Sequence, residues 1–383
     1  MERGVGWGVP ASVIDAFCFE GAPIGAEPLA GGHIHENVLV RCTGGRYVLQ
    51  RLNDRVFPDV DAVLSNGERL VAYLRAKGRR GPELVETGDG ALSLRAPDGS
   101  RWRAFRFLEG TVGRSILMGP DDAFESARAF ADYLVALADF PAPPLAVTIE
   151  HFHDLPHRLD ALEAVSAADP VGRRSGVSEE VDRARRLAGD VAEQLRAGAG
   201  RPCVRIVHND AKLSNVRFDA RTGRAACVID LDTTMPGHVA YDVGELVRTA
   251  ATHSPEDARD EATVDFDRDL LDALASGYFA ARPPVDASEI EAMSLAGPHM
   301  AVENALRFLV DHLAGDRYFT VTRSGQNLDR CRTQLRLTEL MLESEVDSRA
   351  CFVRAARSVR ADPATAEDRR RGLHGRGSVG GAS

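Results

Sequence analysis

Apolar and polar residues alternate in short runs over roughly the first hundred positions and recur at helical spacing over most of the chain beyond. Residues 35–41 and 46–52 predict two strands joined through Gly44-Gly45, after a segment 28–30 that leads into the turn Gly31-Gly32-His33. Residues 84–85, 92–95 and 101–107 predict further strands, with Pro97-Asp98-Gly99 as a turn. Between them, residues 59–76 place Val60, Val63, Leu64, Leu70, Val71 and Leu74 largely on one side of a helix.

A change of character follows at Leu108-Glu109-Gly110. After an Asp121-Asp122 cap region, Phe124, Phe130, Tyr133, Leu134 and Leu137 line a helix that stops before Pro141. Residues 169–176 predict a loop, and 178–195 a charged helix whose Glu and Arg side chains face water. Short apolar runs at 203–207, 215–218 and 225–231 predict strands, the last two turned by Arg-Thr-Gly-Arg (221–224). Helices are predicted over 241–251, 264–281, 288–296, 299–314 and 326–346. From residue 354 Arg, Gly, Ser and Ala dominate, which predicts a disordered tail. The pattern therefore implies an α+β chain: a small β-rich lobe over 1–109, a mainly helical lobe over 110–353 and a tail over 354–383.

A length of 383 residues accommodates two lobes with a cleft between them. No apolar run approaches the roughly 20 residues of a membrane span, and the first residues lack a signal-peptide pattern. Six scattered cysteines show no metal or redox spacing; Cys203 and Cys227 fall in apolar runs and are expected to be buried, in a reduced, cytoplasmic setting. A formal charge of −10 argues against nucleic-acid partners. Oligomeric state is left open.

The chemistry is concentrated in one stretch. Residues 206–215 read Ile-Val-His-Asn-Asp-Ala-Lys-Leu-Ser-Asn, and 228–232 read Val-Ile-Asp-Leu-Asp. An Asp within His-x-Asp, an Asn five residues later and a second Asp ending an apolar strand is the order that phosphoryl transfer uses. Asp210 is the candidate base for an acceptor hydroxyl, and Lys212 can offset charge on the transferred phosphate. Asn215 and Asp230 offer hard oxygen ligands for Mg²⁺. His208 is expected to brace the backbone, and Asp242 to brace the loop. Asp232 is a candidate supporting or second-metal carboxylate.

These stretches, with Gly-Gly-His-Ile-His-Glu-Asn (31–37), Arg-Tyr-Val-Leu-Gln-Arg-Leu-Asn (46–53), Val-Ile-Asp-Leu-Asp-Thr-Thr-Met-Pro-Gly (228–237) and residues 307–319, resemble the aminoglycoside phosphotransferase and choline kinase branch of the protein-kinase-like fold. More closely it is similar to bacterial N-acetylhexosamine 1-kinases. The resemblance implies an antiparallel β-sheet lobe over a helical lobe, with ATP and Mg²⁺ in the cleft. Gly31 and Gly32 would close over the nucleotide, and Phe107, Leu108 and Glu109 would meet the adenine. It implies His33, Arg307 and Tyr318 as sugar contacts, with Asp210 bonding the reacting hydroxyl.

Two departures stand out. Where protein kinases carry a phosphate-binding Lys, this chain has Gln50 beside Arg51, and strand alternation lets only one of them face the nucleotide. Glu68 is the candidate partner for that position. His-Glu-Asn (35–37) and Ala211 also differ from the expected Asn-Asp-Thr and Thr. The absence of a long activation segment disfavours a protein kinase. The expected activity is phosphorylation of a sugar hydroxyl, with aminoglycoside, choline or homoserine as alternative acceptors and a nucleotide-binding pseudokinase as the non-enzymatic alternative.

Overall fold

The computed structural model describes residues 9–29, 34–114, 116–198 and 203–361. Gly31, Gly32 and His33 lie outside them.

The N-terminal part is a short helix, α1 (Ala11–Ala16), followed by β1 (Pro23–Pro28), β2 (Glu36–Cys42), β3 (Gly45–Arg51), helix α2 (Val60–Ala76), β4 (Leu84–Val85), β5 (Leu94–Arg95) and β6 (Arg101–Arg106). The strands form an antiparallel sheet in the order β1-β2-β3-β6-β4, with β5 also on β6. Register pairs Asn37 with Gln50 and Gln50 with Arg103, so these three side chains stand side by side on one face of the sheet. Alternation sends Arg51 to the other face with Tyr47, Leu49, Trp102 and Ala104, among which all but Arg51 are core. Asp59 caps α2 by accepting from the Ala62 N–H at 2.9 Å.

Gly110, with φ of 68°, turns the chain out of the sheet lobe in a conformation that glycine adopts at no steric cost. The chain then forms β7 (Thr111–Gly113), α3 (Pro120–Leu137), α4 (Leu155–Ala168), α5 (Ser178–Gly198), β8 (Arg205–Val207), β9 (Val216–Asp219), β10 (Ala225–Val228) and β11 (Met235–Gly237). Helices α6 (Val239–Ala250), α7 (Arg268–Ala280), α8 (Ala287–Ala314), α9 (Gln326–Glu343) and α10 (Glu345–Ala361) complete it. Strands β10-β9-β7 and β11-β8 make two small sheets beneath the cleft.

Helix α8 is the spine of the larger lobe, and Gly244 of α6 lies so close that a Cβ there would meet the Ala296 carbonyl at 2.3 Å. The sequence predicts a break at Pro298, yet α8 is continuous through it. Proline forfeits one backbone hydrogen bond, and here burial on nearly all sides outweighs that loss.

Four other expectations are corrected. Helix α10 runs to Ala361, into the segment expected to be disordered, because Cys351, Phe352, Ala355 and Ala356 are buried; residues 362–383 are outside those described. Helix α4 is present where none was expected, its apolar residues not confined to one clear face. Helix α5 buries Val181, Ala184, Leu187 and Ala188, and its Arg183 pairs with Glu339 at 2.8 Å and Glu261 at 2.6 Å. Cys203 is exposed, since β8 begins only at Arg205, and Cys227, on β10, is half-buried. No helix among the described residues is long and apolar enough to cross a membrane.

Candidate active site

The loop between β8 and β9 is held from several sides. Asp242, in the first turn of α6, accepts the backbone N–H of His208 at 2.9 Å and of Asn209 at 2.6 Å. Asn209 takes a left-handed φ of 62°, which Asn tolerates well. Its buried amide donates to the carbonyls of Thr233, at 2.9 Å, and Met235, at 3.3 Å. His208 is buried edge-on to Phe130 and Tyr133, and its Nε2 bonds the Ile229 carbonyl at 3.0 Å. These contacts tie the loop to the strand end that carries Asp230.

Asp210 projects from this braced loop. Its carboxylate meets the Lys212 ammonium at 2.8 Å and accepts from the Asn215 amide at 3.0 Å. Burial would raise the Asp210 carboxyl, but Lys212, aided by His208 and Asn215, outweighs it and leaves it at about 2. Burial likewise opposes the charge of Lys212, and Asp210 and Asp230 overcome this to raise it. Because the Asn215 Nδ2 is spent on Asp210, its Oδ1 remains the oxygen able to serve a cation.

Asp230 opens a 3₁₀ turn over Leu231–Thr233 with φ of 63° and ψ of 60°. Its carboxylate accepts no hydrogen bond among the described residues, and burial together with Asp232 and Asp210 pushes its pKa up. An under-compensated carboxylate beside an available amide oxygen fits a hard divalent cation, so Asn215 and Asp230 are the residues that would hold Mg²⁺.

Asp232 has the opposite surroundings. It receives both terminal nitrogens of Arg103, at 2.8 and 2.5 Å, and His35 Nε2 at 2.7 Å. Burial works against its charge, but Arg103 and His35 hold it well below the usual carboxylate range. Two carboxylates two residues apart are thus separated, one compensated from the protein and one not.

Above this floor lies a cleft of about 710 Å³ lined by Val48, Gln50, Leu64, Phe105, Phe107 and Leu108 from the small lobe and Lys212, Asn215, Ile229 and Asp230 from the large one. The apolar walls and polar floor suit a base above and phosphates below. Gln50 faces the cleft. Arg51 is on the far side of the sheet, exposed beside Glu36 at 3.4 Å, and is not brought to the site. Glu109 turns outward to Arg46, Nε to Oε1 2.8 Å, and its carbonyl accepts from Arg80 at 2.6 Å, so of residues 107–109 only Phe107 and Leu108 line the cleft. Glu68 also lines it but makes no ion pair among the described residues.

Helix α8 carries Glu303 and Arg307 one turn apart. His153 links Glu303, at 2.8 Å, to the carbonyl of Asn209, at 2.8 Å, and Arg158 approaches the same carboxylate at 3.4 Å. Arg307 bonds the Asn304 side chain at 3.2 Å. Its guanidinium lies over Phe152, Phe319 and Tyr318 at 5.6, 5.4 and 5.9 Å from the ring centres, within reach of the attraction between a cation and an aromatic face. The structure therefore brings Arg307 and Tyr318 together in one aromatic cluster, which reaches the loop through His153 beside Phe152. Nearby, the His299 Nε2 is buried without a partner among the described residues, and burial holds this imidazole neutral at about 4.

Sequence reasoning missed Arg103, His153, Arg158 and Glu303. A signal existed for the first, an arginine inside the apolar strand Trp-Arg-Ala-Phe (102–105). His153 and Glu303 meet across 150 residues and left none.

Burial would lift the Glu303 carboxyl, yet His153, Arg307 and His299 bring it to about 2; burial would lower His153, yet Glu303 and the Asn209 carbonyl raise it. Glu303→Gln is expected to destabilise the fold by about 3 kcal/mol, as for other broken buried pairs, measured by urea unfolding at neutral pH. The sign with pH follows from linkage. The raised His153 stabilises fully below the ordinary histidine pKa and stops doing so as pH climbs through its folded value. The depressed Glu303 stabilises above the ordinary glutamate pKa and stops as pH falls towards about 2. The stability gap between wild type and Glu303→Gln should therefore narrow at both ends; a gap that ignores pH would remove the ion pair as its cause.

The fold is that of several solved phosphotransferases and kinases. Spectinomycin phosphotransferase, in complex with ADP and spectinomycin, is 12% identical with a TM-score of 0.59 over 87% of this chain and 97% of that one. A microcompartment-associated aminopropanol kinase is 16% identical, TM-score 0.60, over 87% and 97%. An aminoglycoside phosphotransferase from Alicyclobacillus acidocaldarius subsp. acidocaldarius is 17% identical, TM-score 0.54, over 92% and 97%. At these identities the likeness is one of fold. Residues 25–287 match the phosphotransferase enzyme family, and on a match spanning well over half of its length the chain belongs to that family.

Proposed function

We propose that the protein transfers the γ-phosphoryl group of ATP, with Mg²⁺, to a hydroxyl of a neutral sugar, and that its preferred acceptor is the anomeric hydroxyl of an N-acetylhexosamine or related hexose. Asp210 orients the acceptor hydroxyl and takes its proton as the oxygen bonds to the γ-phosphorus; the bond to the β–γ bridging oxygen breaks and ADP leaves with that electron pair. A carboxyl at about 2 is ionised but weakly basic, so it accepts the proton late. Lys212 connects the two events. As its ammonium is drawn to the transferred phosphate, its hold on Asp210 relaxes and the carboxylate becomes a better base. Mg²⁺ held by Asn215 and Asp230 would neutralise phosphate charge.

The observation that carries the acceptor class is Arg307. It stands one turn of α8 from Glu303, which His153 links to the loop bearing Asp210, and it makes no ion pair among the described residues, while Glu303 is fully buried and taken up by His153 and Arg158. A polycationic acceptor would meet the Arg307 guanidinium there, because the carboxylate near it, Glu303, is shared with His153 and Arg158. A hydroxyl-rich neutral ring with an acyl oxygen would find five donors. The resemblance to N-acetylhexosamine 1-kinases supports the same class.

The test is ADP release measured across hexoses, N-acetylhexosamines, aminoglycosides, choline and homoserine. Turnover is expected with an N-acetylhexosamine, and the product's phosphorus resonance should be split by the sugar's anomeric proton. Turnover confined to cationic alcohols would overturn the sugar assignment.

A further inference from the structure

The two places where this chain departs from the kinase pattern meet in space. Gln50, where a lysine is expected, donates through Nε2 to Asn37 at 2.9 Å, and its Oε1 receives Arg103 Nε at 2.7 Å and Nη2 at 2.5 Å. His35, two residues before Asn37, bonds the same Asp232 that Arg103 grips. The Asn53 backbone N–H donates to His35 Nδ1 at 3.1 Å, which leaves Nε2 as the protonated nitrogen that donates to Asp232. Arg103 and Asp232 are 4% and 3% exposed, so little solvent screens the pair. Arg103 and His35 belong to the sheet lobe, whereas Asp232 follows the candidate metal ligand Asp230 by two residues in the large lobe.

We propose that Arg103 is the positioning residue that stands in for the absent strand lysine: steadied by Gln50, it grips Asp232 across the cleft and fixes the Asp230 turn against the small lobe in its metal-binding arrangement. The inference rests on the phosphoryl-transfer reading and adds to it the residue that couples the lobes. A lysine on β3 would reach the phosphates as a point charge. An arginine one strand over offers a planar fork, which suits a bidentate carboxylate and holds an orientation as well as a distance. Glu68, the partner such a lysine would need, is accordingly left without an ion pair among the described residues.

The experiment is calorimetric titration of the full chain with ADP, with and without Mg²⁺ and with no acceptor present. In wild type Mg²⁺ should tighten ADP binding. Arg103→Gln is expected to reduce that tightening about tenfold while ADP affinity in chelator stays within about twofold. Arg103→Lys, which keeps the charge and gives up the fork, should lose about threefold. Asp232→Asn should match Arg103→Gln, and the double variant should be no worse than either single one. A merely structural pair would lower thermal stability and leave the Mg²⁺ dependence unmoved, and that result overturns the proposal. Should Arg103→Gln fail to fold, the near-isosteric Asp232→Asn decides in its place. A wild-type chain that binds no nucleotide overturns the phosphoryl-transfer reading and this inference together; wild-type Mg²⁺-dependent binding with unaffected variants overturns the inference alone.

Discussion

Asp210→Asn is expected to lower kcat by about 10³-fold while KM for ATP stays within about twofold. Asparagine keeps the shape and can still accept from the Asn215 amide, but it takes no proton and no longer balances Lys212. The ion pair is largely but not wholly buried, the Lys212 and Asp210 side chains being 25% and 17% exposed. Its loss should therefore cost about 2 kcal/mol or less, below the figure for a fully buried pair. Linkage gives the acid side. A carboxyl held at about 2 contributes stability that is complete above the ordinary aspartate pKa and disappears as pH falls through that value. Wild type should therefore lose more stability than Asp210→Asn between roughly pH 4 and 2. The same depressed value means that Asp210 is ionised throughout the neutral range, so an activity loss near pH 6 would have to come from another group. Steady-state kinetics with a coupled ADP assay decides the matter: turnover within tenfold of wild type would remove Asp210 as the base.

Much of this site is legible in the sequence alone, and the reason is local. Asp210, Lys212, Asn215 and Asp230 fall in one short stretch between apolar strands, so order and spacing alone describe their chemistry. Strands β2, β3, β5 and β6 were legible because β2–β3 and β5–β6 are each a hairpin with a turn signal, whereas β1 was not foreseen. What escaped was non-local. Arg103 and Asp232 are 129 residues apart, and only the β3–β6 register puts Arg103 beside Gln50. Alternation did state that only one of Gln50 and Arg51 would face the cleft, and the residue that lines it is Gln50. The Pro298 position failed differently: proline is a strong local stop signal, and burial on nearly every face of α8 overrode it. The glycine turn at 31–33 lies outside the described residues, so the His33 contact stays a proposal drawn from resemblance.

Asp230→Asn is expected to abolish Mg²⁺-dependent nucleotide binding, with turnover falling about 10³-fold or more, and at the same time to stabilise the metal-free chain. The two effects share one cause. The Asp230 carboxyl is pushed above its ordinary value by burial and by the charges of Asp232 and Asp210, and it accepts no hydrogen bond among the described residues. A carboxyl whose folded pKa is raised loses stability for the fold as pH climbs from the ordinary aspartate value through the folded one. Asparagine removes the charge and keeps the volume. It is also at ease at the left-handed φ of 63° that this position takes, where a branched residue would be strained. The metal-free variant should then melt roughly 1–3 °C above wild type at pH 7, a gap that closes as pH approaches 4. With Mg²⁺ and ADP added the order should reverse, because only wild type gains stability from binding. Scanning calorimetry under the two conditions reads both halves. A variant less stable than wild type without metal would mean that Asp230 is a structural carboxylate whose partner lies elsewhere. A variant still stabilised by Mg²⁺ and ADP would remove it as a ligand.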